Sequence, residues 1–382
     1  MNTPEVSANE THPIDEVPTA DEVHTVDQLP AAYPEGDSAS VRHSARDDAT
    51  KPGQEQAVAA GFRPLNRGYE RVFRSGRLSL GLVVPLESYP TSPVPTMDEH
   101  LERVRLAEVL GFAAIWLRDV PFNVPSFGDA GQTFDPFVYL GYLAAGTERI
   151  ALGVASIILP LRHPAHVAKA AASADALSGG RLLLGVASGD RPEEYPALGI
   201  PYEEGAMRFR ESLVYIRRMS ERAPTFDNTF GRLGGGVDLL PKPVAGALPL
   251  LVTGGSRQEP DWIARNGDGW MTYPRELPVQ ARVVENYRTQ VRSAGRHDKP
   301  VMQPLYIDLA EDPSTPPSPI HLGYRLGAKP LREYLEALEQ IGVNHVALNL
   351  RFNRADIETT LHRLADALLP QFRTEPDSTV TL

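Results

Sequence analysis

Eight short apolar runs, each separated from the next by a longer segment of helical periodicity, restrict this chain to very few folds. The runs are Leu80–Val84, Ala113–Leu117, Ile150–Ile158, Leu182–Ala187, Leu248–Thr253, Gly269–Tyr273, Val301–Leu309 and His345–Leu350. Several are rich in Val, Ile and Leu, as strands covered on both faces should be. In the intervening segments Met97, Leu101, Val104 and Ala107 make one apolar helical stripe, and Ile357, Leu361, Leu364 and Leu368 make another. Further helices fit 135–146, 164–177, 204–222, 258–266, 278–294, 330–341 and 354–369. Thr96-Met97-Asp98-Glu99 predicts a capping box, Gly111 a left-handed helix end, and Pro164 the first residue of a helix. Parallel strands need crossover connections. Eight such units close into an α/β fold, the (β/α)8 or TIM barrel. An open doubly wound sheet is the alternative. In a barrel, function sits at the C-terminal ends of the strands.

Charge separates the barrel from its ends. The 382 residues carry a net charge of −11. Residues 1–50 hold 11 acids against Arg42 and Arg46, so this segment alone nets −9. It is also poor in aromatic residues and holds five prolines. Such a segment buries too little apolar surface to offset its ordering entropy. The sequence therefore predicts a disordered acidic extension over 1–68, or a regulatory interaction tail there. The barrel follows over 69–372, and a frayed tail over 373–382.

Composition excludes several function classes. With no cysteine there is no disulfide, thiolate catalysis, iron–sulfur cluster or Cys-ligated zinc. The longest apolar runs, such as Gly153–Leu161, are too short to span a bilayer, and no secretory signal is visible. A cytoplasmic protein without a membrane partner is the expectation. An acidic chain is a poor nucleic-acid binder, because phosphate neutralisation needs clustered Lys and Arg. No H-x-H pair stands at a strand end, so no metal site is expected; His163 and His166 sit at i, i+3, but His163 precedes Pro164 and reads as a helix N-terminal residue. The G-x-S-x-G elbow and the P-loop lysine are both missing.

Two strand ends carry small-residue loops that lead into helices: Ser188-Gly189 after the fourth run and Thr253-Gly254-Gly255-Ser256 after the fifth. Glycine lets backbone N–H groups approach an oxyanion closely, a helix N-terminus favours negative charge, and serine adds a hydroxyl. Together Ser188, Gly189, Gly254, Gly255 and Ser256 form a candidate phosphate cradle; two ordinary tight turns are the plainer alternative. Arg118-Asp119 leaves the second run and Arg351 the last. These charges either stabilise an anion, with Asp119 orienting the arginine or moving a proton, or form ion pairs at the rim with Asp119 or Glu87.

Longer stretches resemble the bacterial luciferase-like monooxygenases. These are Phe134-Asp135-Pro136-Phe137, Thr147-Glu148-Arg149-Ile150-Ala151-Leu152-Gly153-Val154, Leu161-Arg162-His163-Pro164 and Leu177-Ser178-Gly179-Gly180-Arg181 through Ser188-Gly189. Thr253-Gly254-Gly255-Ser256 with Asp268-Gly269-Trp270 continues the match, which covers roughly 76–372. The resemblance implies a homodimeric barrel that binds reduced FMN or a deazaflavin at the strand ends. It also implies a non-prolyl cis peptide at Ala155–Ser156 beneath the ring system, and a phosphate held by the two loops above. It departs at three places: the catalytic His position of true luciferases holds Val120, the reactive cysteine position holds Ala187, and a phosphate-binding arginine is replaced by Ser188. These losses argue against light emission; a flavin site is still expected, and the chemistry stays open.

The expected function is thus a flavin-dependent oxidoreductase, a monooxygenase using reduced FMN and O2 on a small organic substrate. Deazaflavin-dependent hydride transfer and a non-catalytic flavin-binding barrel are the alternatives. A sugar-phosphate isomerase or aldolase would want a strand-end lysine, and none is present. No G-x-G-x-x-G joins a strand to a helix, so reducing equivalents come from a partner flavin reductase or from a nicotinamide bound without a Rossmann module. Leu86, Val120, Phe122, Trp270 and Tyr306 are candidates for shielding the chemistry from water, and the proline-rich loop Glu311–Lys329 for a lid or a plain surface insertion.

Overall fold

The computed structural model describes residues 61–372. The extension expected before residue 61 and the tail from 373 lie outside the described residues. The barrel strands are β1 (Ser79–Val83), β2 (Ala114–Leu117), β3 (Ala151–Ile158), β4 (Leu182–Ala187), β5 (Leu250–Thr253), β6 (Gly269–Met271), β7 (Val301–Leu309) and β8 (His345–Asn349). All are parallel, each pairs with the next in order, and the Ser79–His345 register between β1 and β8 closes the cylinder. Helices follow the strands at His100–Leu110, Pro136–Gly146, Pro164–Leu177, Gly205–Arg218, Pro260–Asn266, Leu277–Ser293, Ala328–Gln340 and Ile357–Phe372.

The strands alternate as a two-residue period demands. Leu80 and Leu82, Ile115 and Leu117, Leu250 and Val252, and Val346 and Leu348 are buried in the layer shared with the helices. Val83, Trp116, Leu183, Leu251, Met302 and Ala347 fill the interior cluster. One large ring dominates that interior. A Cβ at Gly153 would stand 2.2 Å from Trp116, so only glycine leaves room for the indole. Trp116 Nε1 donates to His345 Nε2 (2.8 Å). That bond makes Nε2 the acceptor and places the imidazole proton on Nδ1, which faces Ser79 Oγ at 2.6 Å. Ser79 O–H in turn donates to Val72 O (2.7 Å). With the indole N–H aimed at it, the ring stays neutral, and burial pushes its pKa down to about 3.

The helix Arg67–Val72 closes the N-terminal end of the barrel with Tyr69, Val72 and Phe73. It is capped by Asn66, whose side chain accepts from Tyr69 N–H (2.9 Å) and donates to Asp175 (3.0 Å) and Leu182 O (2.8 Å). The folded unit therefore begins before the boundary at 68 that composition suggested, because one polar residue ties this segment to β4. The predicted capping box does not form. The helix starts at His100, and Glu99 bonds Arg103 instead. The Glu87 carboxylate takes Thr96 N–H, Thr96 O–H and Met97 N–H. Gly111 and Pro164 hold their predicted places, Gly111 at φ 102°.

The loop 311–329 is ordered as a hairpin. Ser318–Ile320 pairs antiparallel with Gly323–Leu326, which lies parallel against Tyr306–Leu309 of β7. The approach is close enough that a Cβ on Gly323 would sit 1.8 Å from Tyr306 O.

Candidate active site

β3 carries the feature that shapes the mouth of the barrel. Its register with β4 slips between Val154 and Ile157, leaving Ala155 and Ser156 opposite a single residue, Gly185. A Cβ on Gly185 would meet Val154 O at 2.2 Å, so the bulge depends on glycine across from it. The Ala155–Ser156 peptide bond is cis, as the resemblance implied. Ser156 Oγ hydrogen-bonds Thr253 Oγ1 and so ties β3 to the end of β5.

Asp119 fastens the far side of this bulge. Its carboxylate accepts from Ile158 N–H (3.0 Å) and from Arg162 Nε (3.0 Å) and Nη2 (2.7 Å). The side chain is wholly buried. Both oxygens are engaged in holding the strand end. The ion pair expected between Arg118 and Asp119 is replaced by two others, Asp119 with Arg162 and Arg118 with Asp129.

A cavity of about 630 Å3 opens at the C-terminal mouth, and all ten candidate catalytic and coenzyme-binding residues line it: Arg118, Asp119, Ala155, Ser156, Ser188, Gly189, Gly254, Gly255, Ser256 and Arg351. On one side the ends of the neighbouring strands β4 and β5 bring the two small-residue loops together. Gly189 and Gly254 take left-handed φ values of 83° and 55°, and Ser256 takes 45°. Gly254 serves the turn, since its N–H is spent on Met271 O (2.8 Å). The Gly255 and Ser256 N–H groups have no partner among the described residues, and nothing lies within 4 Å of where a Gly255 Cβ would be. Ser256 Oγ donates to Thr253 O (2.7 Å) and retains its lone pairs. Open amide donors beside a glycine with free space suit a phosphate oxygen.

On the opposite side stands a charge cluster that sequence reasoning missed at its centre. Arg118 Nη1 (2.7 Å) and Arg351 Nη1 (3.0 Å) both bond the same oxygen of Asp129. The other oxygen accepts from Gly131 N–H (2.8 Å) and, at 3.4 Å, from Tyr89 O–H. Burial works against the Asp129 charge, but Arg118, the Gly131 N–H and Arg351 outweigh it and hold the pKa below the usual carboxylate range. Burial likewise opposes the Arg118 charge, and the fields of Tyr306 and Asp129 more than restore it. A third arginine, Arg191, reaches Asp129 O (3.0 Å) and lies 4.1 Å over the Phe127 ring.

Of the residues expected to shield the site, Val120 and Tyr306 line the cavity. Leu86 is instead buried in the helix-side layer, Phe122 is exposed, and Trp270 stacks on Tyr287 with its N–H on Gly254 O. Tyr306 forms an aromatic wall with His321, from the hairpin turn, and Phe352.

Residues 78–349 match the family model for luciferase-like monooxygenases. An uncharacterised protein of Mycobacterium tuberculosis is 34% identical over 196 residues, 47% of this chain and 69% of that protein. An F420-dependent hydroxymycolic acid dehydrogenase of the same organism is 28% identical over 222 residues, 57% of this chain and 58% of that one. Among solved structures, the monooxygenase RslO1 from Streptomyces bottropensis shares the fold with a TM-score of 0.65 and 21% identity, over 77% of this chain and 99% of that one.

Proposed function

Because the chain belongs to the luciferase-like monooxygenase family, and is thereby an oxidoreductase of that family, we propose that it binds reduced FMN at the barrel mouth and oxygenates a small organic substrate with O2. One observation carries this reading. The two small-residue loops and the Ala155–Ser156 bulge line the same cavity, whose volume suits a coenzyme together with a small substrate. The residues present fit such a group, since the Gly255 and Ser256 amides await an anion and Ala155, Ala347 and Val83 offer a low, apolar floor.

Reduced FMN, when bound, supplies the electrons for oxygen activation. The chain supplies the rest. Gly255, Ser256 and Gly189 hold the phosphate, and Ser156 fixes the bulge through Thr253. Arg118 keeps donors aimed into the cavity, with its orientation set by Asp129. Val120, Tyr306 and Leu322 exclude water on the side away from the cradle. A second reading, deazaflavin-dependent hydride transfer, is favoured by the F420-dependent relative.

Titrating the purified protein with FMN, FAD and F420, followed by coenzyme fluorescence, tests both. FMN binding in the micromolar range with substrate-dependent O2 uptake is expected. Binding of F420 alone selects the second reading, and no binding below about 1 mM removes both.

A further inference from the structure

We propose that the Arg118–Asp129–Arg351 cluster is the substrate subsite, and that it takes a flat conjugated ring carrying one anionic oxygen group, such as an aromatic carboxylate. The inference rests on the coenzyme reading above and adds the chemical class of the second ligand.

The charges come first. Two guanidiniums share one carboxylate oxygen, so this side of the cavity keeps one positive charge in excess. The other acids on the cavity wall do not remove it. Asp119 is engaged by Arg162 and Ile158, and Asp190 stands beyond Gly189 on the cradle side. Nor does Asp129 have capacity left, since its second oxygen already serves Gly131 and Tyr89.

The donors come next. Arg351 spends Nη1 on Asp129 and Nη2 on Gly128 O (3.0 Å) and Ser92 O (3.3 Å). Arg118 spends only Nη1. Its Nε and Nη2 have no partner among the described residues, and its side chain keeps 19% of its exposure while lining the cavity. This is a guanidinium edge held rigid from behind and open in front, which is the geometry that receives a carboxylate through two parallel hydrogen bonds. Gly131 makes the placement possible, because a Cβ there would stand 2.8 Å from Arg118 Nη1.

The shape of the space supplies the ring. Tyr306, His321 and Phe352 present a continuous aromatic wall, with ring centroids 5.7, 5.5 and 6.2 Å apart in the three pairs. Burial, and then the Arg351 charge, lower the His321 pKa, so its ring faces the cavity uncharged near neutrality. A flat ring gains from such a wall beyond its buried area, whereas a puckered one does not. The cradle lies across the mouth at the ends of β4 and β5, so one cavity holds both ligands at separate poles.

Calorimetric titration of the FMN-loaded protein with benzoate, benzamide and cyclohexanecarboxylate tests this. Benzoate should bind, with benzamide and cyclohexanecarboxylate each weaker by about tenfold or more. Arg118→Gln should erase the preference for benzoate over benzamide. Arg118→Lys should keep part of it, because the charge remains while the fork is lost. Phe352→Leu should erase the preference for benzoate over cyclohexanecarboxylate. FMN affinity is read on every variant in the same series. Absence of FMN binding to the parent protein strikes the coenzyme reading, and the benzoate series is then read on the protein without it. Equal binding of benzoate and benzamide, no benzoate binding up to about 10 mM, or an Arg118→Gln variant that weakens FMN instead of benzoate each overturns the subsite.

Discussion

Ser256 carries the most direct residue-scale consequence of the proposed coenzyme site. It lines the cavity with a left-handed backbone, and its hydroxyl is fixed on Thr253 O. Asp tolerates that conformation better than most residues, so Ser256→Asp should fold and yet place a carboxylate where the phosphate sits. FMN affinity should fall by at least about 100-fold, since close like charges cost several kcal/mol in a partly dry site. Unchanged affinity in a fluorescence titration would place the phosphate elsewhere. At this scale the sequence disclosed strand-end residues and concealed their partners. Arg118 and Arg351 were visible as cations leaving apolar runs, but Asp129 lies in the middle of a long loop with no local signal of its target. Asp119 misled for the converse reason. Adjacency to Arg118 suggested a pair, yet beyond the end of β2 the two side chains part, Arg118 to Asp129 and Asp119 to Arg162.

The hairpin Ser318–Leu326 contributes His321 and Leu322 to the cavity wall. Its docking depends on Gly323, where any side chain would collide with the backbone of Tyr306. Gly323→Ala should therefore release the hairpin locally while leaving the barrel folded. Hydrogen exchange should rise across 318–326, and benzoate should bind several-fold more weakly because His321 leaves the aromatic wall. Exchange unchanged from the parent would mean that the hairpin docks by other contacts. Proline content and length marked this segment as a lid or an insertion. Its pairing with β7 was illegible because three- and four-residue strands carry too little periodicity to distinguish from a loop. Periodicity was equally blind to the bulge in β3, which only the family resemblance placed at Ala155–Ser156; pairing shows that these two residues oppose one, Gly185.

At the scale of the whole molecule, two neighbouring helices leave apolar side chains in solvent. Val109 on His100–Leu110 is 70% exposed, and Val138 and Tyr142 on Pro136–Gly146 are 74% and 55% exposed. Exposed apolar side chains on neighbouring helices suit an interface, and we propose that this face joins the two copies of the homodimer that the resemblance implies. Val138→Glu should convert a dimer into a monomer in light scattering coupled to gel filtration, with the barrel still folded. A parent protein that is already monomeric would refute the proposal. Among the described residues no helix is long and apolar enough to cross a membrane.

The sequence by itself determined the eight repeating units, their strand and helix types and the two small-residue loops. Those follow from local periodicity, from backbone freedom at glycine and from helix punctuation, each readable within a few residues. Tertiary structure alone decided which charges meet. Asp129 joins Arg118 and Arg351, Asp119 joins Arg162, and Asn66 ties the closing helix to Asp175 across 109 residues of sequence and to β4 at Leu182 O across 116. Such pairings are set by closure of the cylinder, which brings β8 beside β1 and fixes what faces the mouth, and a hydrogen bond between distant residues leaves no periodic trace in either segment.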